Sequence, residues 1–174
     1  IVADRSGNPV PTGTTINFVA EGGQVESTKM VSQSNGISQA TANFVSAQPK
    51  PIDGRVTIVA YALGEESFID KNGNNIYDAG EDFQDLGNIF KDRNYDGVFD
   101  ATLDEFIGVN LSGNTSSACT ASSNTPIFGL TGYTPSVPAT CDGKWTGSGQ
   151  IYVRRAVETV LSTSVARPLW PGVS

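Results

Sequence analysis

The two strongest strand patterns of this chain lie far apart in the sequence. Residues 55–61 and 150–161 are rich in β-branched side chains and alternate between apolar and polar positions, as half-buried strands do. The chain between residues 108 and 149 is dominated by Ser, Thr, Gly and Pro and offers the last strand no good partner. The economical topology pairs the two patterns with each other, so residues 64–149 become one long excursion between neighbouring strands. The alternation slips near residues 154–156, where we expect a β-bulge.

The first sixty residues predict several shorter strands. Residues 14–20 alternate, with Ile16, Phe18 and Ala20 on one face, and Asn35-Gly36 is a strong signal for a tight hairpin turn. With 19 Gly and 9 Pro in 174 residues, the chain favours turns over helices. Short strands separated by turn residues predict an all-β fold, an antiparallel β-sandwich.

The excursion contains a loop with the spacing of a calcium site. Hard divalent cations prefer oxygen ligands, and the EF-hand loop supplies them from positions 1, 3, 5, 7, 9 and 12. Residues 70–81, the first loop, place an oxygen donor at every one of these positions, and Asn75 at position 6 tolerates the positive φ that the turn needs. The predicted ligands are Asp70, Asn72, Asn74, the backbone carbonyl of Ile76, Asp78 and Glu81.

A second loop, residues 92–105, repeats this spacing with one difference. Position 12 is Leu103, which has no oxygen in its side chain, so Asp104 or Glu105 would have to close a longer loop. We therefore expect two Ca²⁺ sites, of which the first is the stronger. The other predicted ligands of the second loop are Asp92, Asn94, Asp96, the backbone carbonyl of Val98, and Asp100.

The charge of the chain is concentrated in the same region. Residues 65–105 hold twelve acids and three bases, whereas the rest of the chain holds six acids and eight bases. Such a run is either a solvated acidic loop or a cation site, because dense carboxylates repel one another unless a cation neutralises them. Calcium is favoured over magnesium by the all-protein oxygen ligands. The absence of His disfavours zinc and copper, and no basic patch indicates nucleic-acid binding.

The two cysteines, Cys119 and Cys141, flank a turn-rich stretch. We predict a disulfide between them, with two free thiols as the alternative; their spacing excludes a CxxC motif. A disulfide beside calcium loops indicates an oxidising, extracellular location. No apolar run reaches the ~20 residues of a membrane span. The chain starts within a strand-like pattern at Ile1, so we interpret it as a fragment of a longer protein.

Three stretches resemble one known family. Residues 4–23, with the run Gly-Asn-Pro-Val-Pro-Thr-Gly-Thr, together with residues 35–41 and 54–61, look like the bacterial Ig-like domain group 1 of the invasin and intimin type. The resemblance covers residues 1–63 and 150–162. It implies an Ig-like β-sandwich over residues 1–162 with an inserted segment 64–149, followed by a linker or tail at residues 163–174.

The resemblance also implies a role at the bacterial cell surface, next to other domains of the same protein, and no catalytic residues. We therefore expect a calcium-binding, non-catalytic adhesin-like module that calcium makes rigid. The alternative is a module that binds a glycan or a host protein through the insertion. Its aromatic residues would then form a binding platform, although each has core packing as a competing role. They are Phe128, Tyr133, Trp145 and Tyr152.

Overall fold

The structure, a computed structural model, describes residues 1–94, 96, 98–107, 140–147 and 149–161. Within these residues there are ten β-strands and no helix, and every strand pairing is antiparallel. The all-β prediction is thereby confirmed. The strands are β1 (Thr15–Ala20), β2 (Gln24–Val25), β3 (Thr28–Met30), β4 (Ser32–Ser34), β5 (Ile37–Gln39), β6 (Phe44–Val45), β7 (Arg55–Gly64), β8 (Ile89–Lys91), β9 (Glu105–Ile107) and β10 (Ile151–Val160).

The largest sheet has four strands in the order β10-β7-β1-β3. Strands β7 and β10 pair over their whole length, from Ile151 opposite Gly64 to Val160 opposite Arg55. The pairing predicted between residues 55–61 and 150–161 is therefore confirmed. The excursion, predicted at residues 64–149, corresponds in the structure to residues 65–150, the single connection between these neighbouring strands.

The β-bulge predicted near residues 154–156 is wrong. Arg154, Arg155 and Ala156 pair in unbroken register with Tyr61, Ala60 and Val59. The apparent slip arises because a charged residue occupies an inward position: Arg154 is only 3% exposed and its guanidinium donates to the Tyr152 carbonyl. A long side chain can bury its stem in this way while its polar end keeps a hydrogen-bond partner.

The four-stranded sheet is covered on both faces. On one face Ile16, Val31 and Ala62 form a cluster with residues of the N-terminal segment and with Ala40, which follows β5. On the other face Val59 and Ala156 pack against Ile89 and Ile107. Because Ile89 and Ile107 face each other across the β8–β9 hairpin, the excursion itself supplies a layer of the fold.

The hairpin predicted at Asn35-Gly36 is confirmed. Strands β4 and β5 pair on either side of this dipeptide, and both residues have positive φ, 51° for Asn35 and 76° for Gly36. These angles match a type I′ turn, whose twist suits an antiparallel hairpin. A further small sheet joins β2 to β6.

Candidate metal centre

Both acidic loops connect paired extended segments. The first loop lies between residues 67–69 and 82–84, where Phe68 bridges Phe83 and the Ile69 amide donates to the Asp82 carbonyl at 2.7 Å. The second loop connects β8 to β9. Each loop is therefore the turn of a hairpin, and its two ends are fixed by backbone hydrogen bonds.

The start of the first loop is a tight coil around Asp70. The Asp70 carboxylate accepts hydrogen bonds from the backbone amides of Gly73 and Asn75, each at 2.6 Å. The bond from Asn75 is the main cause that lowers the pKa of Asp70 below its usual value. Asn75 itself has φ 64°, the left-handed conformation expected at position 6 of the loop.

The middle of the first loop turns its side chains inward. The Asn72 and Asn74 side-chain oxygens accept from the amides two residues ahead, at 2.9 and 2.8 Å, and both side-chain amides donate to one oxygen of Asp78 at 2.7 Å. The structure thus brings positions 3, 5 and 9 together. In this conformation the polar groups of the loop satisfy one another.

Glu81 closes the first loop. Its side chain is only 7% exposed, and its two oxygens accept from the backbone amides of Lys71 at 2.8 Å and Asp78 at 3.0 Å. These amides belong to the second and ninth residues of the loop. One carboxylate therefore joins the beginning of the loop to its end.

The second loop repeats this closure with Asp104. The Asp104 carboxylate accepts from the amides of Arg93 at 2.9 Å and Asp100 at 2.7 Å, which are again the second and ninth residues. Asp104 is one residue later than Glu81 in its loop and one methylene shorter. The longer backbone compensates for the shorter side chain, and the structure brings Asp104 to the place that Glu81 has in the first loop.

The fifth residue also behaves alike in the two loops. Asp96 accepts from the Val98 amide at 2.7 Å, as Asn74 does from the Ile76 amide. Asn94 donates to the other oxygen of Asp96 at 2.8 Å. Asp100 accepts from the hydroxyl and the amide of Thr102, and these bonds lower the pKa of the Asp100 carboxyl.

Glu105, the other residue expected to close the second loop, has different partners. It lies in β9 and pairs with Lys91 at 2.6 Å and with Arg93 at 3.1 Å. The hydrogen bond from Lys91 is the main cause that lowers the pKa of Glu105. The structure therefore does not bring Glu105 to the loop closure.

Each loop is fixed by an aromatic residue at its eighth position. Tyr77 stacks on Trp145 with ring centroids 4.9 Å apart and packs edge-on against Phe68. In the second loop Phe99 packs edge-on against the buried Phe90 at 5.3 Å. These aromatics were not among the predicted functional residues, although their equal position in the two loops is visible in the sequence.

Two long-range contacts that no sequence pattern predicted attach the loops to the rest of the fold. Arg5 lies 3.9 Å over the Phe68 ring and donates to the backbone carbonyl of Asn75 at 2.9 Å. The Asp92 residue is fully buried, and its backbone carbonyl accepts from the Thr57 hydroxyl of β7 at 2.8 Å. These contacts join the first loop to the N-terminal segment and the second loop to the sheet.

Two of the four aromatics proposed for a platform lie in separate packing groups. Trp145 belongs to the cluster around Tyr77, and Tyr152 packs edge-on against Tyr61 over the sheet. Phe128 and Tyr133 lie outside the described residues. Cys141 is fully buried, and no described cysteine is a free thiol. Its predicted partner Cys119 also lies outside the described residues, so this pairing stays a prediction.

The donors of the first loop are hard oxygens of three kinds: carboxylate, amide and backbone carbonyl. Such donors suit calcium and not softer metals. Among the described residues no three acid, thiol or imidazole groups form a ready ligand cluster, because the carboxylates are turned toward backbone and amide N–H groups. The Asn72 and Asn74 side-chain oxygens each accept one backbone N–H and keep a second lone pair that a cation would take.

Comparison of the chain with family models, curated proteins and solved structures finds no match in any of the three. The resemblance to the bacterial Ig-like group therefore stays a prediction. In the part of the chain that the structure describes, no helix has the length and apolar character needed to cross a membrane.

Proposed function

We propose that this chain is a calcium-binding, non-catalytic module of a bacterial cell-surface or secreted protein, built on an Ig-like β-sandwich. Two Ca²⁺ ions would bind in the first and second loops and make the excursion rigid. A disulfide between Cys119 and Cys141 would fix the part of the excursion that follows the loops.

One observation carries this proposal: the two loops share their internal hydrogen bonds. In each loop one closing carboxylate, Glu81 or Asp104, accepts from the second and ninth amides, and the fifth side chain accepts from the seventh amide. A solvated acidic run has no reason to repeat this arrangement in two stretches of different length and sequence. Coordination of one ion by alternate residues gives such a reason.

The hydrogen bonds that the two loops have in common also indicate which residues would bind the ions. In the second loop Asp104 would take the role of Glu81, whereas Glu105 is not among the proposed ligands because it is paired with Lys91 and Arg93. Glu81, with its longer and buried side chain, suits a bidentate ligand, so the first site is expected to be the tighter. The proposed ligands are Asp70, Asn72, Asn74, the Ile76 carbonyl, Asp78 and Glu81 in the first loop, and Asp92, Asn94, Asp96, the Val98 carbonyl, Asp100 and Asp104 in the second.

Calcium would stabilise more than the loops. The second loop is the turn of the hairpin that covers one face of the sheet, and the first loop holds Trp145 through Tyr77. Extracellular calcium modules bind with dissociation constants of ~10⁻⁴–10⁻³ M. At a free concentration ten times the dissociation constant, one site adds ~1.4 kcal/mol to the free energy of unfolding.

Calorimetric titration of chelator-treated protein with CaCl₂ tests the proposal. We expect two sites in the unaltered chain, loss of the tighter site in Glu81→Gln and loss of the weaker site in Asp104→Asn. Glu105→Gln is the matched control, since it removes a neighbouring carboxylate that lies outside the closure, and it should keep both sites. Absence of binding heat, together with a melting temperature that EDTA leaves unchanged, would refute the proposal.

A further inference from the structure

A buried carboxyl group joins two distant parts of the excursion. Glu66 is 1% exposed, and its two oxygens accept from the backbone amides of Leu86 at 2.7 Å and Thr146 at 2.8 Å. These amides lie 20 and 80 residues further along the chain. No other described side chain contributes both of its oxygens to segments so far apart in this part of the fold.

The same contact is reinforced by the backbone. The Glu66 amide donates to the Thr146 carbonyl at 3.0 Å, and the Trp145 indole N–H donates to the Glu66 carbonyl at 2.9 Å. Residues 145–146 are therefore held to the start of the excursion around Glu66, while Asp85 holds Asp142 and Gly143. The stacking of Trp145 on Tyr77 extends this contact to the first loop.

The charged groups that act on Glu66 disfavour its ionisation. Asp85 and Asp142 both raise its pKa by repulsion, and Asp85 also accepts from the Gly143 amide at 2.8 Å. The neighbouring basic and acidic groups have other partners: Arg5 pairs with Glu65, and Lys71 pairs with Asp82. Lys144, in the same segment as Asp142, is exposed.

Burial is the largest effect on this group and, against the two amide hydrogen bonds, raises the pKa of Glu66 from 4.5 to about 8. The carboxyl is consequently neutral at neutral pH in the folded protein. In an opened form it would ionise near its ordinary value. Opening is therefore hardest in acid and becomes easier as the pH rises toward the folded-state pKa, above which it changes no further.

We propose that Glu66 is a proton-operated clasp, which in its neutral form holds residues 142–146 against residues 85–86 and in its ionised form lets them separate. The proposal does not depend on calcium. The chain contains no His, so no other ordinary side-chain type is expected to titrate near neutral pH.

Hydrogen exchange of the Leu86 and Thr146 amides, measured by NMR in metal-free buffer with EDTA, tests the clasp. After correction for intrinsic exchange rates, we expect their protection to fall roughly fifty-fold between pH 6 and pH 8 and to level off above pH 8. In Glu66→Gln the protection should not depend on pH. The amides of the β7–β10 ladder serve as the internal reference and should show no such fall.

Asp85→Asn keeps Glu66 and removes one of the charges that repel it. In this variant the fall should level off at a lower pH. Protection that is independent of pH in the unaltered chain, or an equal fall in Glu66→Gln, would overturn the clasp. If Glu66→Gln does not fold, an unshifted profile in Asp85→Asn would overturn it.

Discussion

Replacing Ile89 by alanine tests whether the excursion is a layer of the fold or a separate appendage. Ile89 is 1% exposed and packs against Val59, Ile107 and Ala156. Truncation of a buried Ile to Ala costs about 2–5 kcal/mol, depending on how far the site can collapse. Strands lie on both sides of this site, which limits collapse, so we expect about 3 kcal/mol.

A loss of this size is a large part of the about 5–15 kcal/mol that stabilises most domains. For a chain of this length it corresponds to a fall of about 6–12 °C in melting temperature. In urea the midpoint should fall while the slope stays unchanged, because the same surface becomes exposed in one transition. Ile52→Ala is the control, since Ile52 is fully exposed.

Hydrogen exchange distinguishes the two possibilities directly. If β8 and β9 form a layer of the fold, Ile89→Ala reduces the protection of β7 amides together with those of β8. A loss of protection that stays within residues 89–107, with an unchanged midpoint for the sheet, would refute this reasoning. The excursion would then unfold independently of the four-stranded sheet.

Two further substitutions test how the loops are attached. Arg5→Ala removes the contact with Phe68 and the hydrogen bond to the Asn75 carbonyl. Because such contacts contribute about 1 kcal/mol, calorimetry should show the calcium affinity of the first site falling about three- to tenfold. An unchanged affinity would contradict this role of Arg5. Thr57→Val keeps the side-chain shape but removes the donor to the buried Asp92 carbonyl. Thermal unfolding should therefore show a free energy of unfolding lower by about 1–3 kcal/mol. Thr57→Ser keeps the hydroxyl and should be much closer in stability to the unaltered chain, and a Thr57→Val variant of unchanged stability would contradict this role.

Local sequence patterns correctly predicted those parts of the structure in which the residue types themselves determine the backbone conformation. The β-branched alternation of β7 and β10 predicted their pairing, and Asn35-Gly36 predicted a turn with two positive φ angles. The loop spacing likewise predicted positive φ at Asn75. In each case the conformation is determined either by residues next to one another in the sequence or by the alternation of apolar and polar residues along a strand.

Elements whose position depends on long-range burial could not be predicted from local sequence patterns. Strands β8 and β9 have only three residues each, too few for a clear period, and they lie among charges that indicate solvent. Arg154 occupies a core-facing position, so the alternation looked broken although the register is not. The hydrogen-bond partners of Glu66, Leu86 and Thr146, lie 20 and 80 residues later in the sequence, so no local pattern reveals them.

The second loop and the hairpin that contains it depend on each other. A two-stranded hairpin is marginal in water by itself, and strands of three residues joined by a long loop are weaker still. Two features compensate: Ile89 and Ile107 pack on the sheet, and Asp104 ties the two ends of the loop together. Any cation that orders this loop also stabilises the docked hairpin, and docking in turn presents a preformed loop to the cation. By linkage the two free energies are coupled in both directions, so a calcium site in this loop would also control how firmly one face of the sheet is covered.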